Sequence, residues 1–144
     1  MARNKMSVLD ASVVLKWFVS ENDSDKAEAL RSEYYLGQRD IIVPDLILYE
    51  ISNALNYHPD FKPSEIKTAI QTLFDIGIEI VTPTQMLMSK AIDIASENNV
   101  TCYDASYFAL AQDLQIDFIT ADQKFYNKLF QNNFRDIILL KNFR

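Results

Sequence analysis

Four short runs rich in β-formers, each set apart by stretches of helical periodicity, constrain this chain more than any other feature. Met6-Ser7-Val8-Leu9, Ile41-Ile42-Val43, Ile78-Glu79-Ile80-Val81 and Phe118-Ile119-Thr120 are too short for amphipathic helices and carry the branched and aromatic side chains that suit a buried pleat. Between them apolar residues recur at three- and four-residue spacing, as on helices packed by one face. Strands alternating with helices favour a parallel sheet, because each crossover lays a helix over a face of it. The expected fold is therefore α/β: a three-layer α/β/α sandwich on a mainly parallel four- or five-stranded sheet, with Ile137 to Leu140 as closing strand. Two glycines and four prolines leave few places for linkers, and 144 residues suffice for one core, so residues 1–144 are read as a single domain.

A short helix is expected from Val13 to Phe18. A second runs from Lys26 to Leu36, with Ala27, Leu30 and Tyr34 at helical spacing and Gly37 ending it. Pro44-Asp45 opens a third through Tyr57, striped by Leu48, Ile51 and Leu55. Pro63-Ser64 starts a fourth, with Ile66, Ile70, Leu73 and Phe74 on one face and Gly77 as its stop. Thr82-Pro83-Thr84-Gln85 has the capping-box form for a fifth, which should turn Met88, Ala91, Ile92 and Ala95 inward. Thr101 begins the helix bearing Tyr103, Asp104, Phe108 and Ala111, and Asp122 opens a last one through Phe125 and Leu129.

The composition excludes several chemistries. Cys102 has no second cysteine for a disulfide or a zinc site, and the one histidine, His58, precedes Pro59 in an apparent loop, so Ser-His and Cys-His catalysis have little support. No apolar run approaches the ~20 residues needed to cross a bilayer, and the start carries charge without a hydrophobic stretch, which points to a cytoplasmic protein. A net charge of −6 argues against gripping a duplex by a broad basic footprint, yet it suits a protein that gathers carboxylates around a cation.

The carboxylates carry the functional reading. In open parallel sheets ligands sit beyond the carboxyl ends of the strands. Asp10 ends the first strand, Asp122 lies two residues past the fourth, Asp104 is in the first turn of the helix leading into that strand, and Glu50 is about one and a half turns into the helix after strand two. Singly, each has a plainer explanation: the three aspartates can cap helix N-termini, and Glu50 can be an exposed helical glutamate. Together on one rim they repel unless a cation stands among them. Oxygen-only donors suit Mg²⁺ or Mn²⁺ rather than zinc or copper, and such ions commonly work on phosphate. The hydroxyls of Ser12 and Thr120 lie beside two of the acids, where they can hold water or bond backbone. Lys16 and Trp17 could meet a phosphate or a base, but a core tryptophan with a solvated lysine is the plainer reading, and Tyr34, Tyr35, Tyr107 and Phe108 read as core or dimer packing.

Val8-Leu9-Asp10-Ala11-Ser12-Val13, Pro44-Asp45-Leu46 leading to Glu50-Ile51-Ser52-Asn53-Ala54-Leu55, Tyr103-Asp104-Ala105 and Ile119-Thr120-Ala121-Asp122 together resemble the PIN domain, and in its compact form the VapC toxins of toxin-antitoxin pairs. The resemblance covers essentially the whole chain. It implies Asp10 and Asp104 as principal metal ligands, Glu50 and Asp122 completing the acidic set, and Ser12 and Asn53 in support. It also implies a Mg²⁺- or Mn²⁺-dependent ribonuclease that forms a homodimer and is neutralised by a VapB-type antitoxin laid across the groove. Rival readings fit less well. An aspartyl-phosphate phosphatase wants an acid where Ser12 stands, and a signalling receiver wants paired acids where Leu9 precedes Asp10. A domain of this fold that binds without cutting, or an RNA-processing nuclease with no antitoxin, stays open.

Overall fold

The structure, a computed structural model, describes residues 4–144. Five strands, β1 (Lys5–Leu9), β2 (Arg39–Pro44), β3 (Glu79–Val81), β4 (Asp117–Thr120) and β5 (Ile137–Leu139), form one sheet in the order β3-β2-β1-β4-β5. Every pairing is parallel, with Val8 opposite Ile42 on one side and Phe118 on the other. The helices are α1 (Ala11–Val14), α2 (Ser24–Tyr35), α3 (Leu46–Asn56), α4 (Pro63–Ile76), α5 (Gln85–Asn98), α6 (Cys102–Leu114) and α7 (Gln123–Gln131). The α/β/α sandwich expected from the alternating pattern is the fold observed.

The strand order explains where a site can form. Chain progress from β1 to β2 to β3 runs one way across the sheet, while β4 and β5 are added on the other side of β1. Right-handed crossovers therefore put α5, α6 and α7 on the face opposite α2, α3 and α4. At the β1/β4 junction the flanking connections part to opposite faces, which opens a crevice at the carboxyl ends of those strands.

The core lies on both sides of the central strands. Val8, Leu9, Val43, Phe118 and Ile119 are all buried to within 1 % of completely. Phe118 packs against Phe108 of α6 and Phe125 of α7 at ring distances of 5.8 and 5.6 Å. Each such ring stabilises the fold by roughly 2 kcal/mol through removal of apolar surface from water. Trp17 is core, as its plainer reading holds: its indole N–H donates to the Ala27 carbonyl at 2.8 Å and so fixes the start of α2. Its neighbour Lys16 pairs with Glu21. Tyr107 and Phe108 are buried, whereas Tyr35 is exposed.

Several local expectations change. The fifth helix is capped by Thr84, whose hydroxyl accepts from the Leu87 N–H at 3.1 Å, and not by Thr82. Its buried stripe is Ala91, Ile94, Ala95 and Asn98, leaving Met88 and Ile92 exposed. The expected and observed stripes share both alanines; a buried asparagine decides between them. The Asn98 amide donates to the Ile94 carbonyl at 2.8 Å and its oxygen accepts from Asn132 at 2.6 Å. Phe74 likewise faces outward from α4, where Ala69 and Leu73 are the buried residues. The first helix is shorter than expected, giving way after Val14 to a 3₁₀ turn over Leu15–Trp17. Among the described residues no helix is long and apolar enough to cross a membrane.

Candidate active site

Asp10 follows β1 directly, and its backbone N–H donates to the Ile119 carbonyl at 3.3 Å, continuing the β1/β4 seam. Its side chain does cap α1, accepting from the Val13 N–H at 3.3 Å. Capping uses only part of its capacity. The Ser12 hydroxyl donates to Oδ1 and the Thr120 hydroxyl to Oδ2, each at 2.5 Å. Ser12 also accepts from the Ala121 N–H at 2.9 Å, and Thr120 from the Asp122 N–H at 3.0 Å. The two hydroxyls thus bond both acid and backbone, and they lock a 6 % exposed carboxylate into one orientation.

Glu50 is not an exposed helical glutamate. It is half-buried on α3, where Oε1 accepts from the Tyr107 hydroxyl at 2.6 Å. Asp104 sits in the first turn of α6 without capping it: Thr101 is the cap, its hydroxyl accepting from the Asp104 N–H at 3.0 Å. Asp122 caps α7 through the Phe125 N–H at 3.1 Å. Asn53, one turn along α3 from Glu50, is exposed and makes no side-chain contact with the acids among the described hydrogen bonds.

Electrostatically the four acids centre on Asp104. Burial lifts the Asp10 carboxyl from 3.8 to about 7 despite its hydroxyl partners, and the Asp104 charge adds to the rise. Burial also raises Glu50, opposed by the Tyr107 hydroxyl and reinforced by Asp104. Asp104 itself is raised by burial and by the charge of Asp122, against the lowering influence of Thr101 and Lys128. Burial first, then the bond to Glu50 and the three nearby acids, push the Tyr107 phenol far up, so it stays a donor at any working pH. Partly buried charges that raise one another are what a cation would relieve.

In kind the donors fit a hard divalent ion, being carboxylates and hydroxyls throughout. In placement they are less gathered than expected: among the described residues no three acidic, His or Cys side chains stand close enough to share one ion. Nor do the four acids line one hollow. Glu50 borders a depression of about 800 Å³ against α3 and α4, also lined by Tyr49, Asn53, Lys67 and Tyr103. Asp104 and Asp122 border a second of about 400 Å³ with Thr101, Lys124 and Lys128.

Sequence reasoning missed three features of this site. Tyr107, read only as packing, is the donor to Glu50; its position one turn beyond Asp104 on α6 was the available signal. Lys128, held through its ammonium to the Asn99 carbonyl at 2.7 Å, sets a positive charge near Asp104. Tyr49 and Tyr103, each immediately before an acid, flank the larger depression.

Comparison with known proteins bears on this arrangement. The family model described as PIN domain matches residues 7–130. A curated relative, Ribonuclease VapC3 of Pyrobaculum aerophilum, is 27% identical over 126 residues, spanning 84% of this chain and 92% of its own. Among solved structures, Mycobacterium tuberculosis VapC20, described as a sarcin-ricin loop cleaving toxin, aligns with a TM-score of 0.68 at 14% identity, covering 92% of this chain and 98% of that one. VapBC2 from Rickettsia felis, bound to a DNA fragment from its promoter, aligns with a TM-score of 0.66 at 11% identity, covering 93% and 96%.

Proposed function

Because the chain belongs to the PIN domain family, we propose that it is a Mg²⁺- or Mn²⁺-dependent endoribonuclease that hydrolyses RNA phosphodiester bonds and serves as the toxin of a VapBC-type pair. The observation that carries the reading is electrostatic: Asp10, Glu50 and Asp104, from three separate parts of the chain, are each raised by burial, and the charge of Asp104 adds to the rise of the other two. The ribonuclease relative supports RNA as substrate, and the VapBC2 neighbour supports an antitoxin partner. The same reading includes a homodimer working in the cytoplasm.

Asp10 and Asp104 would hold the ion, with Glu50 and Asp122 completing the acidic set. When bound, the ion would supply polarisation of a nonbridging phosphate oxygen and activation of water. The chain supplies the rest. Ser12 and Thr120 fix the Asp10 carboxylate so that no reorientation is needed when substrate arrives. Tyr107 donates to Glu50 Oε1 and so opposes the rise that burial gives that carboxyl. Lys128 lowers the cost of a charged Asp104, and Lys124 lies at the same hollow where a flanking phosphate can reach it.

The test is incubation of the purified protein with end-labelled single-stranded RNA in Mn²⁺, in Mg²⁺ and in EDTA. Internal cleavage with either metal and none in EDTA is expected. Cleavage unaffected by EDTA would overturn metal dependence, and RNA bound but never cut would leave a non-catalytic PIN-fold protein.

A further inference from the structure

Packing does not account for the depression beside Glu50. Tyr49 and Tyr103 remain 75 % and 64 % exposed on its walls, although each lies next in sequence to a buried or half-buried acid. On a helix, neighbouring residues are turned by about 100°. With Glu50 and Asp104 turned to the acidic site, their preceding tyrosines stand at its margin, one from α3 and one from α6. Leu46 and Ile66 add apolar wall, and Lys67 is the one cation of the lining. The side-chain amides of Asn53 and Asn56 also line it and are exposed, so their donors and acceptors are available.

We propose that this depression is the subsite for one unpaired nucleobase of the RNA, stacked on Tyr49 and Tyr103 while its neighbouring phosphate lies at the acids; the proposal rests on the nuclease reading above. Three observations favour a base over a protein segment. The depression shares Glu50 with the acidic site, so an occupant here is continuous with a phosphate there. Its exposed flat rings are matched with accessible amides, the combination that stacks a base and reads its edge. A chain of net charge −6 offers little general attraction for RNA, which leaves a larger share of the grip to local stacking, beside point charges such as Lys67 here and Lys124 and Lys128 at the neighbouring hollow. Only a base free of its own helix can enter, which makes the substrate single-stranded or a loop.

The experiment uses single-stranded oligoribonucleotides with 2-aminopurine placed at successive positions, mixed with the full chain in Mn²⁺ and followed by stopped-flow fluorescence before any strand is cut. Quenching at one position beside the cut site is expected with the wild-type chain and with Tyr49→Phe and Tyr103→Phe, which keep the ring. Tyr49→Ala and Tyr103→Ala should lose the quench and bind roughly 5- to 150-fold more weakly. An abasic residue at that position should weaken wild-type binding and change nothing further in the alanine variants. Alanine variants that quench and bind like the wild type, with circular dichroism showing all of them folded, overturn the subsite. RNA that is cut without a quench at any position overturns it too and leaves the nuclease reading standing. RNA neither bound nor cut removes both. A wild-type chain that sediments as a larger species than the alanine variants would make this face a contact between copies, and the base subsite would fall.

Discussion

The Tyr107 hydroxyl donates to Glu50 Oε1 at 2.6 Å, joining α6 to α3 across 57 residues of sequence. Both residues sit where helices from opposite faces of the sheet meet at one rim, so the bond fixes Glu50 relative to Asp104, one turn before Tyr107 on the same helix. Tyr107→Phe removes the donor while keeping the ring. The expected cost to folding is about 1 kcal/mol. The bond lowers the Glu50 carboxyl, so without it that group titrates higher. The acid limb of the pH–rate profile should move to higher pH. An unchanged limb would mean that Glu50 need not be ionised.

Asp10→Asn and Asp104→Asn should each abolish metal-dependent RNA cleavage, a loss of at least about 100-fold on the scale of removing a charge-stabilising group. Circular dichroism should stay that of the parent. Asn53→Ala, by contrast, removes an exposed amide that touches none of the acids and should leave the melting temperature within a degree or so of the parent.

Burial of Asp10 makes the fold sensitive to pH. Its folded value of about 7 stands above its ordinary 3.8, so the folded chain binds that proton more tightly than the unfolded chain does. The stability this contributes is complete below 3.8 and is lost as pH rises through about 7, where the buried charge must be carried. In EDTA the wild-type melting temperature should therefore fall more steeply between mildly acid and mildly alkaline pH than that of Asp10→Asn. Mn²⁺ at the alkaline end should raise the wild-type value and not the variant's. Parallel slopes for the two proteins would contradict the burial.

Arg39 provides a test far from the acids. It is 3 % exposed at the start of β2, where Nε pairs with Glu33 of α2 at 2.7 Å, one terminal nitrogen donates to the Ser7 hydroxyl, and the guanidinium lies 5.4 Å from the centre of the Phe143 ring. Arg39→Ala strands these partners and should cost roughly 3 kcal/mol in urea unfolding. Cleavage by the folded fraction should be unchanged, separating structural ion pairing from the acidic site.

Much of this was legible in the sequence because short apolar runs between helical stretches have few alternatives. Asp10, Asp104 and Asp122 were findable for the same reason: each stands at the end of a strand or the beginning of a helix, where chain direction alone fixes which rim it occupies. The faces of α4 and α5 were less readable. Ala91 and Ala95 belong equally to two stripes, and the choice fell to Asn98, a polar residue that pattern reading counts as outward. Helical spacing sets Tyr107 beside Asp104, but that Glu50 is its partner depends on how closely α3 approaches α6, which spacing does not record. The sharing of the acids between two hollows is likewise a matter of side-chain placement rather than chain order.

The seam between β1 and β4 has a consequence for biosynthesis. Asp10 emerges early from the ribosome, but the threonine that orients it is residue 120, and β4 follows β1 in the chain only after three crossovers. A nascent or truncated chain that stops short of β4 has neither that threonine nor Asp122. The hydrogen-bonded surroundings of Asp10 are thus completed late in synthesis, once β4 has joined β1.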